Sequence, residues 1–347
     1  MTPKLLECTL RDGSYAINFQ FSRKFTQEFV SQVDSIGFKY IEVGHGIGIG
    51  AHRKYQPALE NDFVYGEAAS KGAKKSQWGM FAQPHITNFQ DLDSLSNLGM
   101  GFIRIGVDIN NLQSGYELAQ YAKSKNLLVF LNYMKSYKYE SQQIKDLFAD
   151  SSKQDYIDGI YLVDSAGGML QKDIEIQVNQ VKPISNNKIL GFHGHDNLGL
   201  AVSNSLRVAE LGFQLIDCTM QGLGRSSGNA MAERLIAIGE RSGINFEIDL
   251  LSAIKVGETL IKPMISNIGH GGLDTYAGFA LFHSSYLDNV IKSAQEYNVD
   301  PYKIIAALSS NDGDLETVQE IAAALPKLND KNTKNYLNYS YFGREQE

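Results

Sequence analysis

The sequence of 347 residues predicts an α/β fold, a (β/α)8 TIM barrel, followed by a small α-helical C-terminal domain. Eight short, apolar, β-rich runs follow one another, and amphipathic stretches separate most of them. Beyond about residue 245 the strand pattern ceases. A doubly wound open sheet is the competing topology. We therefore divide the chain into a catalytic barrel at 1–245, a helical domain at 246–326 and a polar tail at 327–347.

The predicted strands are short apolar runs bounded by polar residues or glycine, as in buried parallel sheets. In chain order they are Leu5–Leu10, Tyr40–Val43, Gln77–Ala82, Phe102–Val107, Leu127–Asn132, Gly159–Val163, Ile189–Phe192 and Leu215–Met220. Eight such strands fill the part of the chain that we assign to the barrel.

Helices are predicted where apolar residues recur every three or four positions. Phe25, Phe29 and Val33 follow this spacing, and Gly37 ends the helix. In the C-terminal part we expect helices over about 249–265, 279–297 and 315–325. The tail is rich in Lys, Asn, Asp and Tyr, and its sequence leaves open whether it is disordered or a surface strap.

Charge and composition argue against several classes of protein. The net charge of -7 and the pI near 5.6 argue against binding to nucleic acid or to an anionic membrane. No apolar stretch approaches the roughly 18 residues of a membrane span, and we find no signal-peptide pattern. Cys8 and Cys218 both lie in predicted strands, and two buried thiols indicate a reducing compartment. We therefore expect a cytoplasmic protein.

Polar and ionisable residues gather where the predicted strands end. In a (β/α)8 barrel these ends form one face, and catalytic groups lie there. The residues at the strand ends are Arg11, Asp12, Glu42, His45, Gln83, His85, Arg104, Asp108, Asn132, Asp164, Ser165, His193, His195 and Gln221. This face is the predicted active site.

His193 and His195 indicate a metal site. Alternate residues of a strand face the same way, so the two imidazoles leave one face side by side. Asp12 ends the first strand, and strands one and seven are both odd, so Asp12 could lie level with the histidines. Two imidazoles and a carboxylate form a site with open positions, as a Lewis-acid enzyme needs.

Several of these runs together resemble the metal-dependent pyruvate aldolase and condensing-enzyme superfamily, which includes 3-hydroxy-3-methylglutaryl-CoA lyase. The resemblance rests on Thr9–Gly13, Ile41–Gly46 and His193–Leu200, and it spans the whole barrel. Val163–Met169 and Ser284–Leu287 are similar to later segments of the 4-hydroxy-2-oxovalerate aldolase branch, which looks nearest.

The resemblance implies roles for the residues at the strand ends. Asp12, His193 and His195 would hold a divalent ion, foremost Mn2+ or Mg2+, with Zn2+ or Co2+ as alternatives. Asn229 is a candidate outer ligand or simply a turn residue. Arg11 would stabilise the enolate oxygen, pair with Glu42 or Asp12, or do both. Three further residues are expected to bind substrate, namely Ser165, Asn132 and Glu42.

The chain departs from the aldolase pattern at two places. Tyr15 stands where the aldolase carries its general base, a histidine. Phe279 stands where the aldolase carries a tyrosine, with Tyr276 one turn before it and His283 one turn after. The residues that could replace the lost groups are Tyr15, His45, His52, Tyr276 and His283.

The predicted function is a divalent-metal-dependent class II aldolase, a carbon–carbon lyase that cleaves or forms a 4-hydroxy-2-oxo acid through a pyruvate enolate. The alternatives are an acyl-CoA condensing synthase of the same superfamily and a catalytically silent barrel that acts as a binding subunit. A Schiff-base aldolase using Lys135 is a further rival. The resemblance also implies an aldehyde as second substrate, an acylating aldehyde dehydrogenase as possible partner, and a homo-oligomer.

The glycine-rich loop after the eighth strand has a separate interpretation. It runs from Gln221 to Glu233 and opens a helix, and barrels often bind phosphate at this place. Arg225 and the two serines that follow it could assist. The simpler interpretation is a tight turn between strand and helix.

Overall fold

A computed structural model of the protein describes residues 2–55, 57–108, 112–265, 271–310 and 317–328. Structural statements below refer to these residues. Most of the predicted tail, from residue 329 onward, lies outside them.

Eight parallel strands close into a barrel in the order of the chain. Their bounds are β1 Lys4–Glu7, β2 Tyr40–Val43, β3 Gln77–Ala82, β4 Phe102–Val107, β5 Leu128–Tyr133, β6 Gly159–Asp164, β7 Ile189–Gly194 and β8 Leu215–Cys218. The last strand pairs with the first, with Glu7 opposite Cys218. The predicted (β/α)8 fold is confirmed.

The first strand ends earlier than predicted, at Glu7, and the seventh ends later, at Gly194. β1 stops at Glu7 because the backbone N–H groups of Arg11 and Asp12 both donate to the Cys8 carbonyl, at 3.0 and 2.8 Å. This turn opens a 3-10 helix over Asp12–Ile17. β7 continues to Gly194 because it stays paired with β6, so His193 lies within the strand.

The barrel helices fill the connections between strands. They are α1 Arg23–Ile36, α2 Ala51–Lys54, α3 Asp62–Gly72, α4 Phe89–Asn97, α5 Leu112–Ser124, α6 Ser141–Ser152, α7 Gln171–Val181, α8 Ala201–Glu210 and α9 Ala232–Ser242. In α1, Phe29 and Val33 are buried against the barrel, and Ser22 caps the first turn. Gly37 ends α1 at φ 118°, a conformation that glycine adopts without strain.

Large side chains fill the interior of the barrel. Phe102, Phe130 and Tyr161 are fully buried and meet edge to face. The Arg104 guanidinium lies over the Tyr161 ring, 4.9 Å from its centroid. The barrel is therefore a packed core, and its accessible chemistry is confined to the face where the strands end.

The C-terminal part is helical, as predicted, with α10 Leu250–Val256, α11 Gly272–Phe279, α12 Leu287–Tyr297, α13 Pro301–Ser310 and α14 Thr317–Ala324. The single helix expected over 279–297 is wrong, because α11 ends at Phe279 and Leu281 takes a positive φ of 51°. α13 was not expected, although Asp300 and Pro301 form a typical helix start.

Packing divides the apolar residues into a barrel cluster and a helical cluster. Phe246, Ile248 and Val256 pack with the barrel, whereas the second cluster begins at Leu273. Buried members of the barrel cluster extend to Ile261, and Met264 and Ile265 pack against it. The domain boundary at 245 stays a prediction. No helix in the described part of the chain is long and apolar enough to cross a membrane.

Candidate active site

Three predicted metal ligands meet at the face where the strands end. Asp12, His193 and His195 are buried, and one potential ligand atom from each lies within 4.8 Å of the others. The Nε2 atoms of the two histidines are 3.4 Å apart, and Asp12 Oδ2 lies 3.4 Å from His193 Nε2. The set suits a divalent ion that keeps positions open for substrate.

Each imidazole is oriented by a contact on its other nitrogen. His193 Nδ1 lies 2.8 Å from Asp217 Oδ2, and His195 Nδ1 lies 3.2 Å from the Gly228 carbonyl oxygen. An acceptor at Nδ1 favours a proton there, which leaves the lone pair on Nε2. Both rings therefore turn their ligating nitrogen toward Asp12, and the residues present fit a metal ion.

The glycine-rich loop supplies the carbonyl that holds His195. Gly228 has φ 86°, and a Cβ placed on it would lie 2.1 Å from the Gly222 carbonyl oxygen. Only glycine allows this close approach, because any side chain would collide with the loop backbone. The backbone of the loop residue Asn229 forms an isolated antiparallel β-bridge with His195. Within the described residues, the buried Oδ1 of Asn229 has no hydrogen-bond partner. That oxygen is compatible with the predicted outer ligand.

A chain of buried ion pairs connects Arg11 to His193 beneath the metal ligands. Arg11 donates to Asp12 Oδ2 and Glu42 Oε2, both at 2.7 Å. Arg104 donates to Glu42 Oε1 at 2.7 Å and also to Asp217, whose carboxylate holds His193. Two guanidinium groups stand against three carboxylates, so apart from His193 this cluster carries one negative charge in excess. A buried excess of negative charge favours a bound cation.

The pKa values of this cluster follow from burial and from its partners. Burial raises the pKa of Asp12, but the Arg11 charge, the hydrogen bond to His193 and the charges of the two histidines together outweigh burial and hold that pKa well below its usual range. Burial lowers the pKa of His195 to about 3, so this ring is neutral. Burial acts in the same direction on His193, but hydrogen bonds to Asp12 and Asp217 raise its pKa. A metal ion would displace the proton from His193 on binding.

A cavity opens beside the three ligands. It is lined by Arg11, Asp12, Tyr15, Gly46, Phe81, Gln83, Asn132, Met134, Val163, Ser165, His193, His195, Arg225 and His283. A Cβ on Gly46 would lie 2.7 Å from the Tyr15 ring, so glycine is needed there for the ring to pack. Asn132 Oδ1 is buried without a hydrogen-bond partner in the described part of the chain.

The structure places some of the other predicted residues away from the cavity. Glu42, expected to bind substrate, lies beneath Arg11 and holds its guanidinium. His45 stacks on Phe19 at 3.9 Å, and its Nδ1 accepts from the backbone of Ile47. Neither residue lines the cavity. The Glu42 side chain points into the buried ion pairs, and the His45 ring packs in a neighbouring aromatic cluster.

Two further candidates from the sequence also lie elsewhere. Tyr276 packs on Phe279 and Tyr302 within the helical cluster, and Phe279 itself is 72% exposed. His52 lines a separate surface pocket beside Asp62, at 3.2 Å. Of the residues proposed to replace the aldolase base and tyrosine, only Tyr15 and His283 reach the cavity.

Sequence reasoning missed Asp217 and the place of Arg225. Asp217 lies in β8 among apolar residues, two positions after Leu215, which faces the barrel interior. Strand alternation would have placed its carboxylate inside the barrel, where a charge needs a partner. Arg225 had been assigned only to phosphate binding by the loop, yet its side chain lines the cavity itself.

We expect Asp217→Asn to weaken metal binding by about 10- to 100-fold, because the variant loses the carboxylate that orients His193. Titration calorimetry with Mn2+ would measure the change. Asp158→Asn is the matched control, since Asp158 pairs with Lys123 at the surface. Equal Mn2+ affinity in both variants would contradict the orienting role.

Comparisons with known proteins agree with this geometry. The HMGL-like family matches residues 103–260. A 4-hydroxy-2-oxovalerate aldolase from Geobacillus genomosp. 3 is 30% identical over 311 residues, covering 88% of this chain and 90% of the relative. An oxaloacetate decarboxylase from Mycobacterium tuberculosis is 30% identical over 305 residues, covering 87% of this chain and 81% of the relative.

A solved structure supports the same fold. The HMG-CoA lyase of Bacillus subtilis superimposes with a TM-score of 0.64 at 20% identity, over 76% of this chain and 94% of that one. The predicted resemblance is thus confirmed by the family match and by relatives that align along most of their length. The chain belongs to the HMGL-like family of metal-dependent carbon–carbon lyases.

Proposed function

We propose that this enzyme is a divalent-metal-dependent aldolase that cleaves or forms a 4-hydroxy-2-oxo acid through a pyruvate enolate. The observation that carries the proposal is the buried cluster of Asp12, His193 and His195 beside the Arg11 guanidinium. The similarity to 4-hydroxy-2-oxovalerate aldolase along most of the chain supports it.

Asp12, His193 and His195 would hold the ion, and Asn229 is the candidate further ligand. Imidazole together with carboxylate and amide oxygen suits Mn2+ or Mg2+ best, and Zn2+ or Co2+ also fits. A divalent ion at this site would supply Lewis-acid chemistry, polarising the 2-oxo group and favouring the enolate.

Arg11 is placed to stabilise the negative oxygen that develops during the reaction. It lines the cavity, and Glu42 and Asp12 accept from two of its five N–H groups within the described residues. These carboxylates hold the Arg11 guanidinium rigidly. The guanidinium therefore need not reorient when charge appears on the substrate. Arg11 therefore both donates to the substrate and forms the ion pairs considered from the sequence.

Asn132 and Ser165 would position the substrate from the other side of the cavity. Asn132 Oδ1, which has no hydrogen-bond partner among the described residues, is an acceptor for a substrate hydroxyl, which a 4-hydroxy acid supplies. Ser165 Oγ accepts from the Lys135 backbone N–H at 3.1 Å, which keeps its hydroxyl at the cavity wall.

The proton acceptor for the 4-hydroxyl is Tyr15 in this proposal. The other candidate at the cavity is His283, whose Nε2 already lies 2.8 Å from Arg225 Nη2. With Asp12, His193 and His195 given to the metal and His283 paired with Arg225, Tyr15 is the remaining candidate in the described lining, and it accepts the proton in its phenolate form.

Decarboxylation of a 2-oxo acid such as oxaloacetate is a second candidate function. The pairing of His283 with Arg225 favours it, because this contact occupies the Nε2 that a base would use, and loss of CO2 leaves an enolate without removing a hydroxyl proton. The similarity to an oxaloacetate decarboxylase supports the same alternative.

Tyr15→Phe separates the two reactions. We expect cleavage of 4-hydroxy-2-oxovalerate to fall about 100-fold or more, because the variant loses the proton acceptor. Decarboxylation of oxaloacetate should fall far less. Tyr121→Phe, which removes a surface hydroxyl bonded to Asp93, is the control. A similar loss of both reactions in Tyr15→Phe would argue against a role of Tyr15 as base.

The proposal is tested by assaying pyruvate released from 4-hydroxy-2-oxovalerate, with lactate dehydrogenase as coupling enzyme. We expect Mn2+ to support turnover and a chelator to abolish it, with recovery when Mn2+ is restored. Borohydride added with substrate should trap nothing, because Lys135 Nζ lies over the Tyr286 ring rather than at the cavity. Thiol release from acetyl-CoA would instead favour the condensing synthase, and metal binding without any turnover a silent barrel.

A further inference from the structure

Arg225 enters the active site from the loop that follows β8. Its backbone N–H lies 3.4 Å from Asp12 Oδ1, so the residue begins beside the metal ligands. Its side chain is buried, with the guanidinium 5.5 Å from the centroid of the Tyr15 ring. Arg225 therefore forms the cavity wall next to the residue that we propose as proton acceptor.

The helical domain holds Arg225 in this position. Arg225 Nη2 lies 2.8 Å from His283 Nε2, and His283 Nδ1 lies 2.7 Å from Ser285 Oγ. Burial, together with the Arg225 charge, holds the pKa of His283 well below its usual range, so the ring is a neutral acceptor for the guanidinium. A rigid, oriented guanidinium is the group that proteins use to grip a planar carboxylate.

The charge of the cavity wall points to an anionic substrate group. Among the described lining residues, Arg11 and Arg225 stand against one carboxylate, Asp12, which is a metal ligand candidate. Arg11 pairs with two carboxylates, and Arg225 contacts the neutral His283 ring and lies beside Tyr15. A substrate with a methyl group at its far end would leave an apolar atom against a buried guanidinium, which is unfavourable.

We propose that Arg225 binds a second carboxylate at the far end of the substrate, so that the enzyme prefers a 4-hydroxy-2-oxo dicarboxylic acid and releases an aldehyde that itself carries a carboxylate. This inference rests on the proposed aldolase function. The bond between C3 and C4 breaks, its electron pair stays with the pyruvate enolate, and the 4-hydroxyl proton passes to the base. The second carboxylate belongs to the aldehyde product and stays paired with Arg225 until that product dissociates.

The same contact disfavours the alternative reaction. In oxaloacetate the far carboxylate is the group that departs as neutral CO2. A guanidinium that grips this carboxylate stabilises the ground state more than the transition state, in which the charge moves away. Arg225 is therefore a specificity-determining residue that favours aldol cleavage.

Two acids of equal chain length test the proposal with the Mn2+-loaded enzyme. 4-Hydroxy-2-oxopentanedioate and 4-hydroxy-2-oxopentanoate differ only in a carboxylate against a methyl group. We expect kcat/KM to favour the dicarboxylate by about 30-fold or more, as for one buried charge-assisted contact. Turnover of both acids without this preference would overturn the inference alone, whereas turnover of neither would overturn the proposed function with it.

Variants assign the preference to Arg225. We expect Arg225→Gln to lower the ratio of the two kcat/KM values about 30-fold, and the ratio cancels any loss of active protein. Arg53→Gln, which breaks a surface pair with Asp91, should leave the ratio unchanged. His283→Ala should raise KM for the dicarboxylate more than it lowers kcat. His283→Asn should bring that KM part of the way back to the wild-type value. An unchanged ratio in Arg225→Gln or, if that variant does not fold, in Arg225→Met would overturn the inference.

Discussion

Replacing Arg104 by methionine should destabilise the protein by about 3–5 kcal/mol. Arg104 is completely buried in the barrel, and it donates to both Glu42 and Asp217. Methionine fills similar space but carries no charge, so two buried carboxylates would lose their shared cation. Chemical denaturation of the purified protein at pH 7, followed by circular dichroism, measures the loss.

Arg53→Met is the matched control for this prediction. Arg53 forms a similar two-pronged contact with Asp91, at 3.0 and 2.6 Å, but its side chain is 39% exposed. Water and salt screen such a pair, so its loss should cost about 1 kcal/mol or less. If both variants lost the same free energy of unfolding, burial of the Arg104 network would not be what stabilises the barrel.

Arg11→Gln should lower kcat for 4-hydroxy-2-oxo acid cleavage by about 100- to 1,000-fold. Arg11 is the guanidinium next to the three metal ligands, and its interaction with the substrate strengthens as the enolate oxygen becomes negative. Such a contact acts on the transition state more than on the bound substrate, so KM should change less than kcat. Steady-state kinetics at saturating Mn2+ measures both constants.

Arg11→Lys distinguishes the geometry of the fork from its charge. Lysine keeps one positive charge near Asp12 and Glu42 but cannot reproduce two parallel N–H donors. We expect an intermediate kcat, with Mn2+ content close to that of the wild type. A variant that raised KM while leaving kcat unchanged would show that Arg11 serves only to bind the substrate.

The buried ion pairs connect Arg104 with Arg11, the two residues of the predictions above. Glu42 contacts both Arg11 and Arg104, and Asp217 contacts both Arg104 and His193. The residues that stabilise the barrel interior therefore also orient Arg11, for which we propose enolate stabilisation, and His193, a candidate metal ligand. Substitutions in these ion pairs should affect stability and metal binding together. The free energy of unfolding should therefore be measured for each variant used in kinetics.

The barrel and the three candidate metal ligands follow from local patterns in the sequence. Each strand is a local apolar pattern, and bounds such as Tyr40–Val43 and Phe102–Val107 were predicted as they are. The candidate metal ligands were also readable, because His193 and His195 alternate at the end of one strand and Asp12 lies in the turn that follows another. These features depend on spacing along the chain and on a fold whose strand ends share one face.

The neighbours of these residues depend on contacts between distant parts of the chain. Asp217 holds His193 from the adjacent strand, and His283 reaches Arg225 from the helical domain, 58 positions along the chain. The same packing turned His45 onto Phe19 and away from the cavity. Alternation along a strand states which way a side chain points but not what lies opposite it, because that depends on register around the closed barrel and on the docking of the helices.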